Sequence, residues 1–383
     1  MKKNLFILIF LASLLASCTD LYWPEIDKYE GALVVDGMLT NEPGPYTIRL
    51  QTTTPLRSPA IKPLSDAEVM ITDELGNIEF FHETESGVYT NNSPDFQGKI
   101  GHSYQLTVAI ADNKTYISSW EKLPPPIEIN SVYAEIEYHE VAEDETYPGY
   151  QFYIDTDEAS TDTTYLLWRA ESTYKYKSTF QIFFYYDGNL HPFSDFDSLQ
   201  TCYLTNPVPM LNTYKLVNSD ENKVNRFPLF FVSTEDKKLS IRYSALVKQL
   251  SLTETTYNYW SSLQKQEDIQ GSLYTNQPYQ IRGNMKNLES DDEPVMGCFL
   301  VAGISQKRIF VDRPFGVQFF YGECELRQSN FEDYGRRRFL ERQYYPYYVT
   351  QTDAGARAIP DEYCADCRDS GGKIEKPEFW IDE

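Results

Sequence analysis

Six cysteines carry the widest chemical repertoire in this sequence, and two of them stand close together. The stretch EYCADCRDS (362–370) sets Cys364 and Cys367 two residues apart. Such a pair can hold zinc, exchange electrons as a dithiol, or enter structural disulfides. Zinc needs further ligands, and neither a second close cysteine pair nor an H-x-x-x-H spacing among His82, His102, His139 and His191 supplies them. A thioredoxin-type site needs the pair at a helix N-terminus after a strand, whereas Pro360, two acids and Gly371-Gly372 surround this one. The structural disulfide is the expectation, if the chain folds where thiols are oxidised.

The N-terminus supplies that compartment. MKKNLFILIFLASLLASC (1–18) joins Lys2 and Lys3 to an apolar run too short to span a bilayer, and ends in Leu-Ala-Ser-Cys. This is the lipobox order: an aliphatic residue, two small residues that let the backbone enter a peptidase, and a thiol that takes the lipid. Residues 1–17 are therefore expected to be a lipoprotein signal peptide. Cys18 is the lipid-attachment residue, acylated into outer-membrane lipid, and 18–30 is a tether. Thr19 stands where an Asp would favour inner-membrane retention, so outer-membrane placement is expected, with the periplasmic or cell-surface face left open. Beyond Cys18, Cys298 sits in the apolar run VMGCFLVAG and is expected to stay a free, buried thiol. Cys202, Cys324, Cys364 and Cys367 then form an even set with three pairings open.

Other chemistry is sparse. The sequence has no G-x-S-x-G, no Gly-rich phosphate loop and no G-x-G-x-x-G. No catalytic residue, no metal site and no cofactor is expected; a hydrolase with an unfamiliar site is the outlying alternative. DTDEASTD (155–162) lacks the central Gly and closing Glu of a calcium loop, and ESDDE (289–293) reads as a solvated turn. Aromatics cluster in TFQIFFYYDG (179–188) and QYYPYYV (343–349). Phe183, Tyr185, Tyr344, Tyr345 and Tyr347 are the candidate platform for a protein partner, a peptide or a glycan. RRRFLER (336–342) is a basic island in a chain with 57 acids and 34 Lys+Arg. The net charge of −23 becomes −25 once Lys2 and Lys3 leave, which excludes nucleic acid as a partner.

Positioning these residues falls to β structure. Aromatics make up 15% of the chain, which favours strands. ALVVDGML, YTIRLQ, AEVMITD and IEFFHE alternate with turn residues between them. Residues 31–125 are expected to form an immunoglobulin-like or transthyretin-like β-sandwich. LPPPIEI (123–129) marks a stiff link, since consecutive prolines cannot pair in a central strand. Residues 126–383 form a larger, mainly β region; YQIRGNM, PVMGCFLVAGISQKRIFV and VQFFYG read as strands. One amphipathic helix is expected near 251–270, with Ser251 and Glu254 as a capping box, Tyr257, Trp260 and Leu263 on one face, and Gly271 ending it.

The order of these pieces resembles a known family. VVDGMLTNEPGPYTIRL soon after a lipobox, then SDAEVMITDELGN, PYQIRGNMKNL, DEPVMGCFLVAGISQKRIFV and a C-terminal C-x-x-C before GGKIEKPEFW are similar to the Bacteroidota outer-membrane lipoproteins grouped as domain of unknown function 4249. The resemblance implies an accessory lipoprotein beside a TonB-dependent outer-membrane receptor. It also implies that EYCADCRDS is part of a C-terminal clasp with KPEFW packed nearby. It carries over no catalytic residue.

Overall fold

A computed structural model describes residues 31–54, 62–142, 145–159, 163–217, 222–269, 280–322, 324, 326 and 347–382. The leader, Cys18, the tether, Gly271, RRRFLER, Tyr344 and Tyr345 lie outside the described residues.

The alternating segments become strands β1 (Leu33–Thr40), β2 (Thr47–Thr52), β3 (Lys62–Pro63), β4 (Glu68–Asp73), β5 (Ile78–Glu85), β6 (Val88–Asn91), β7 (Ser103–Ile110), β8 (Lys114–Ser118) and β9 (Glu121–Lys122). Alternate residues turn inward: Val35 and Leu39 in β1, Ile48 and Leu50 in β2, Val69 and Ile71 in β4, Leu106 and Val108 in β7. With Tyr89, Tyr116 and Phe299 they make one core. Each buried aliphatic contributes about 1.5–3 kcal/mol relative to exposure.

The remaining described strands are β10 (Ile129–Ala142), β11 (Glu145–Thr156), β12 (Thr163–Lys177), β13 (Phe184–Tyr186), β14 (Leu190–Pro192), β15 (Thr201–Pro207), β16 (Asn212–Val217), β17 (Phe227–Ser233), β18 (Arg242–Leu252), β19 (Met285–Asn287), β20 (Met296–Asp312), β21 (Tyr347–Gln351) and β22 (Arg357–Ala358). The fold is mainly β. A 15-stranded mixed sheet runs β15-β12-β18-β20-β1-β2-β6-β5-β4-β7-β8-β19, with β16 beside β12, β3 beside β2 and β9 beside β7. Two small sheets accompany it, β10-β11-β17 and β14-β13-β21-β22.

Strand β20 carries the large sheet across the proline link. Its first part pairs parallel with β1, from Val34 opposite Met296 to Thr40 opposite Ala302. Its second part pairs antiparallel with β18, from Ser251 opposite Gly303 to Arg242 opposite Asp312. Gly303 stands where the partner changes, and a Cβ there would lie 2.3 Å from the Pro124 carbonyl oxygen and 2.6 Å from the Pro126 nitrogen. The link therefore crosses over a residue that must lack a side chain. It is also hydrogen-bonded: the Ile127 carbonyl accepts from Gln249 Nε2 at 2.7 Å and from Ser305 Oγ at 2.6 Å. Asn41 Oδ1 accepts the Ile304 N–H at 2.6 Å, tying the end of β1 to the same point.

Among the described residues there is one α-helix, α1 (Glu254–Ile269). It begins later than the capping-box reading placed it. Ser251 lies inside β18, which runs to Leu252, and its hydroxyl accepts the Ile127 N–H, so it cannot cap. Thr253 takes the role, its Oγ1 accepting the Thr256 N–H at 3.3 Å. Tyr257 and Trp260 pack on Leu167, Leu250, Leu300 and Ile304 of the large sheet. Two strand expectations change as well. VQFFYG (317–322) pairs with no strand: the Phe320 N–H donates to the Thr234 carbonyl, and Arg313 lies 3.9 Å over the Phe319 ring. YQIRGNM yields strand only from Met285.

Candidate functional site

The cysteines meet at the C-terminal end of the fold. Cys367 bonds to Cys202 of β15, and Cys364 bonds to Cys324. The C-x-x-C pair thus faces two partners, because each cysteine belongs to its own 3-10 turn, Glu362–Cys364 and Cys367–Ser370. Asp366 caps the second turn by accepting the Arg368 N–H at 2.9 Å. Tyr176 donates its hydroxyl to the Cys367 carbonyl at 2.5 Å, and Tyr203 and Lys373 exchange backbone bonds of 2.8 and 2.9 Å. The tail then folds back: Trp380 is buried against Tyr203 and Phe310, with ring centroids 5.0 and 5.5 Å away, and Arg308 lies 3.5 Å over Phe379. In this bonded state the four sulfurs are neither zinc ligands nor a reduced dithiol.

Cys298 is the free cysteine among the described residues, and it is buried. Burial first, and then the nearby Glu121 carboxylate, push its thiol up to about 12. A thiol held protonated is a poor nucleophile. Its neighbour Glu121 is itself enclosed and accepts from Thr253 Oγ1 at 2.5 Å and Asn284 Nδ2 at 3.1 Å, a polar knot joining β9 to the cap of α1 and, through the bonds of Asn284 with the Phe299 backbone, to β20.

The two aromatic segments come together as paired strands, Tyr185 opposite Tyr348 and Tyr186 opposite Tyr347, but the candidate side chains differ in burial. Tyr347 is 3% exposed and packs inward. Phe183 is half-buried, 5.3 Å from Phe196. Tyr185 stacks on His191 at 4.9 Å, and that imidazole lies 3.1 Å from Asp187 Oδ1. The acidic stretches also differ from the sequence reading. In ESDDE, Asp291 and Asp292 are exposed, but Glu289 accepts the Thr115 N–H, and Glu293 accepts from Tyr116 at 2.7 Å, Lys114 at 3.0 Å and Asn287 at 2.7 Å. The segment is a fastener for β8, not simply a solvated turn. In DTDEASTD, Asp155 accepts the Arg226 N–H at 2.6 Å and the Ser131 hydroxyl at 2.8 Å. No group of three or more His, Cys, Asp or Glu suited to a metal occurs among the described residues.

Two surfaces escaped sequence reasoning. The first is a cleft of about 1190 Å³ between β17, the 206–212 segment and α1, with Arg169, Trp260, Glu235, Asp236 and Lys238 among the residues that line it. β17 is an edge strand of its sheet, and Asn212 Nδ2 donates to its Leu229 carbonyl at 2.6 Å. The second is the ribbon formed by β10 and β11. β17 accompanies β11 only between Gly149 and Ile154, while β10 and β11 pair on to Ala142 and Glu145. Val132 and Ala134 face the core, and the same face continues outward as Ile136 and Tyr138, which are 44% and 65% exposed. The alternation in SVYAEIEY held that signal; what it lacked was which of its alternate positions the rest of the fold would cover.

These features define a mainly β protein with a disulfide-clasped C-terminal end, a broad cleft and a projecting apolar ribbon. The chain belongs to the family described as Domain of unknown function (DUF4249), whose model matches residues 19–308. No curated protein matches it.

Proposed function

We propose that this protein is a non-enzymatic outer-membrane lipoprotein, anchored through acylated Cys18, that serves as a partner subunit of a TonB-dependent transporter or another envelope complex. In this reading β1–β9 form an immunoglobulin-like or transthyretin-like module completed by β19 and β20. The observation that carries the reading is the ribbon: Ile136 and Tyr138 extend the apolar core face into solvent, where an uncovered apolar stripe fits a protein contact. The test is affinity capture of the full-length protein from detergent-solubilised membranes. An outer-membrane receptor is expected to co-purify, and the Ile136→Ser/Tyr138→Ser variant is expected to lose it while keeping its fold. Capture of no outer-membrane partner by the wild type, or undiminished capture by the variant, overturns the reading.

A second reading, capture of a glycan or peptide for the transporter, is favoured by the Tyr185–His191–Asp187 group, which sets an aromatic face beside a carboxylate. Binding on a glycan array that disappears with Tyr185→Ala would support it.

A further inference from the structure

Strands β12, β18 and β20 lay their side chains in rows across the sheet face that α1 covers. Leu167, Leu250 and Ile304 form one row, buried beneath Tyr257 and Trp260. The next row on the same face is Arg169, Lys248 and Gln306, directly opposite one another in register. Gln306 is satisfied, donating to Glu42 Oε1 at 2.9 Å. The two cations are not: neither Arg169 nor Lys248 forms an ion pair or side-chain hydrogen bond among the described residues. Arg308, one row further on, shows the contrast. It has Glu171 at 4.0 Å, donates to Ser244 Oγ at 3.1 Å and stacks on Phe379.

Arg169 instead lies 4.9 Å over the Trp260 ring. Burial lowers its pKa, and Asp36 offsets that only in part. A guanidinium presents five donors, and enclosing it without acceptors is unfavourable. Like charges directly opposite across two strands are unfavourable too. A third unmatched donor lies alongside, since Trp260 Nε1 is buried and has no acceptor. Arg169 and Trp260 both line the cleft, so the row meets it at Arg169, with Lys248 next to Arg169 in register. Glu267 and Asp268 line the cleft as well, but they are exposed and form no ion pair with either cation.

Among the described residues, two adjacent cations without an ion pair and a buried indole N–H without an acceptor suit a group with negative charge and several acceptor atoms. We propose that Arg169, Lys248 and the indole N–H of Trp260 form a binding site for an oxyanion group, a carboxylate or a phosphate, at the edge of the cleft where Arg169 and Trp260 line it. The planar fork of Arg169 suits two oxygens of such a group, and Lys248 adds a point charge. The site goes beyond the transporter-partner reading and does not depend on it.

The test is thermal unfolding of the full-length protein in detergent, titrated with sodium phosphate or sodium acetate at ionic strength held constant with chloride. A saturable rise in midpoint of roughly 2–4 °C over the chloride control is expected for the wild type. Saturation by phosphate alone assigns a phosphate, and by acetate alone a carboxylate. Lys248→Gln is expected to fold with an unchanged or higher starting midpoint, because it relieves the cross-strand repulsion, and to lose the response. Lys248→Arg is expected to retain it, and Arg169→Gln to lose it. No rise with either anion, or an equal and non-saturating rise in wild type and Lys248→Gln, overturns the site.

Discussion

The two ends of the described chain are held together by different means. β1–β9, with β19 and β20, enclose nineteen buried hydrophobic residues in one continuous core. The C-terminal segment from Tyr347 has strands of five and two residues, and the clusters it touches contain three buried residues each. So small a core offsets little of the backbone entropy that ordering costs. Two disulfides stand in its place, closing sequence separations of 165 and 40 residues. In the chain-entropy view such closures contribute about 5 and about 4 kcal/mol. Where alternation is long, burial suffices; where strands are short, the chain is stapled.

That contrast can be broken deliberately. Replacing Cys202 and Cys367 with Ser is expected to destabilise the C-terminal region by about 2–5 kcal/mol. Trypsin should then cut after Arg368 and Lys373 while Lys99 and Lys114 stay protected, as mass spectrometry of the digest would report. A smaller effect belongs to the core side. Burial opposes ionisation of Glu293, but hydrogen bonds from Tyr116, Lys114 and Asn287 outweigh it and hold its carboxyl below the usual range. A carboxylate with a depressed folded pKa contributes stability that is present above its unfolded pKa and lost as pH falls through the folded value. Glu293→Gln is therefore expected to cost about 1.5–3 kcal/mol at neutral pH. Its denaturation curve should converge with that of the wild type only in acid, once the pH has fallen below the depressed folded value. The smallest expected change lies at the seam where β20 passes from β1 to β18. Gly303→Ala puts a Cβ against Pro124 and is expected to cost about 1–3 kcal/mol. Because β20 pairs with both β1 and β18, tryptophan fluorescence and backbone exchange should report the loss in both regions at once.

Legibility in the sequence follows the same division. Val69 and Ile71, or Leu106 and Val108, announce their burial by alternation, since one buried face imposes a period of two. The family was legible too, from ordered segments between 34 and 380. What could not be read were relations between distant residues. The parallel pairing of β1 with β20 joins Val34 to Met296, and no local pattern encodes it. Four cysteines allow three pairings: the separate 3-10 turns part Cys364 from Cys367, and the packing of Cys367 against Cys202 and Tyr176 decides between the other two. VQFFYG carries strand-forming aromatics, but its aromatic rings pack on Arg313 and Tyr147 instead of entering a sheet. Ser251 matched a capping pattern that β18 overrode by extending two residues further than the pattern allowed. Arg169 and Lys248 look like ordinary charges on separate strands until the register sets them side by side.

Hydrogen exchange of the full-length protein with and without reductant tests the central contrast most directly. With the disulfides reduced, amides of 347–382 and of β15 should lose protection, while those of β1, β2, β4 and β7 keep theirs. Equal loss in both regions, or unchanged protection at the C-terminal end, would contradict the account that one region rests on its core and the other on its disulfides.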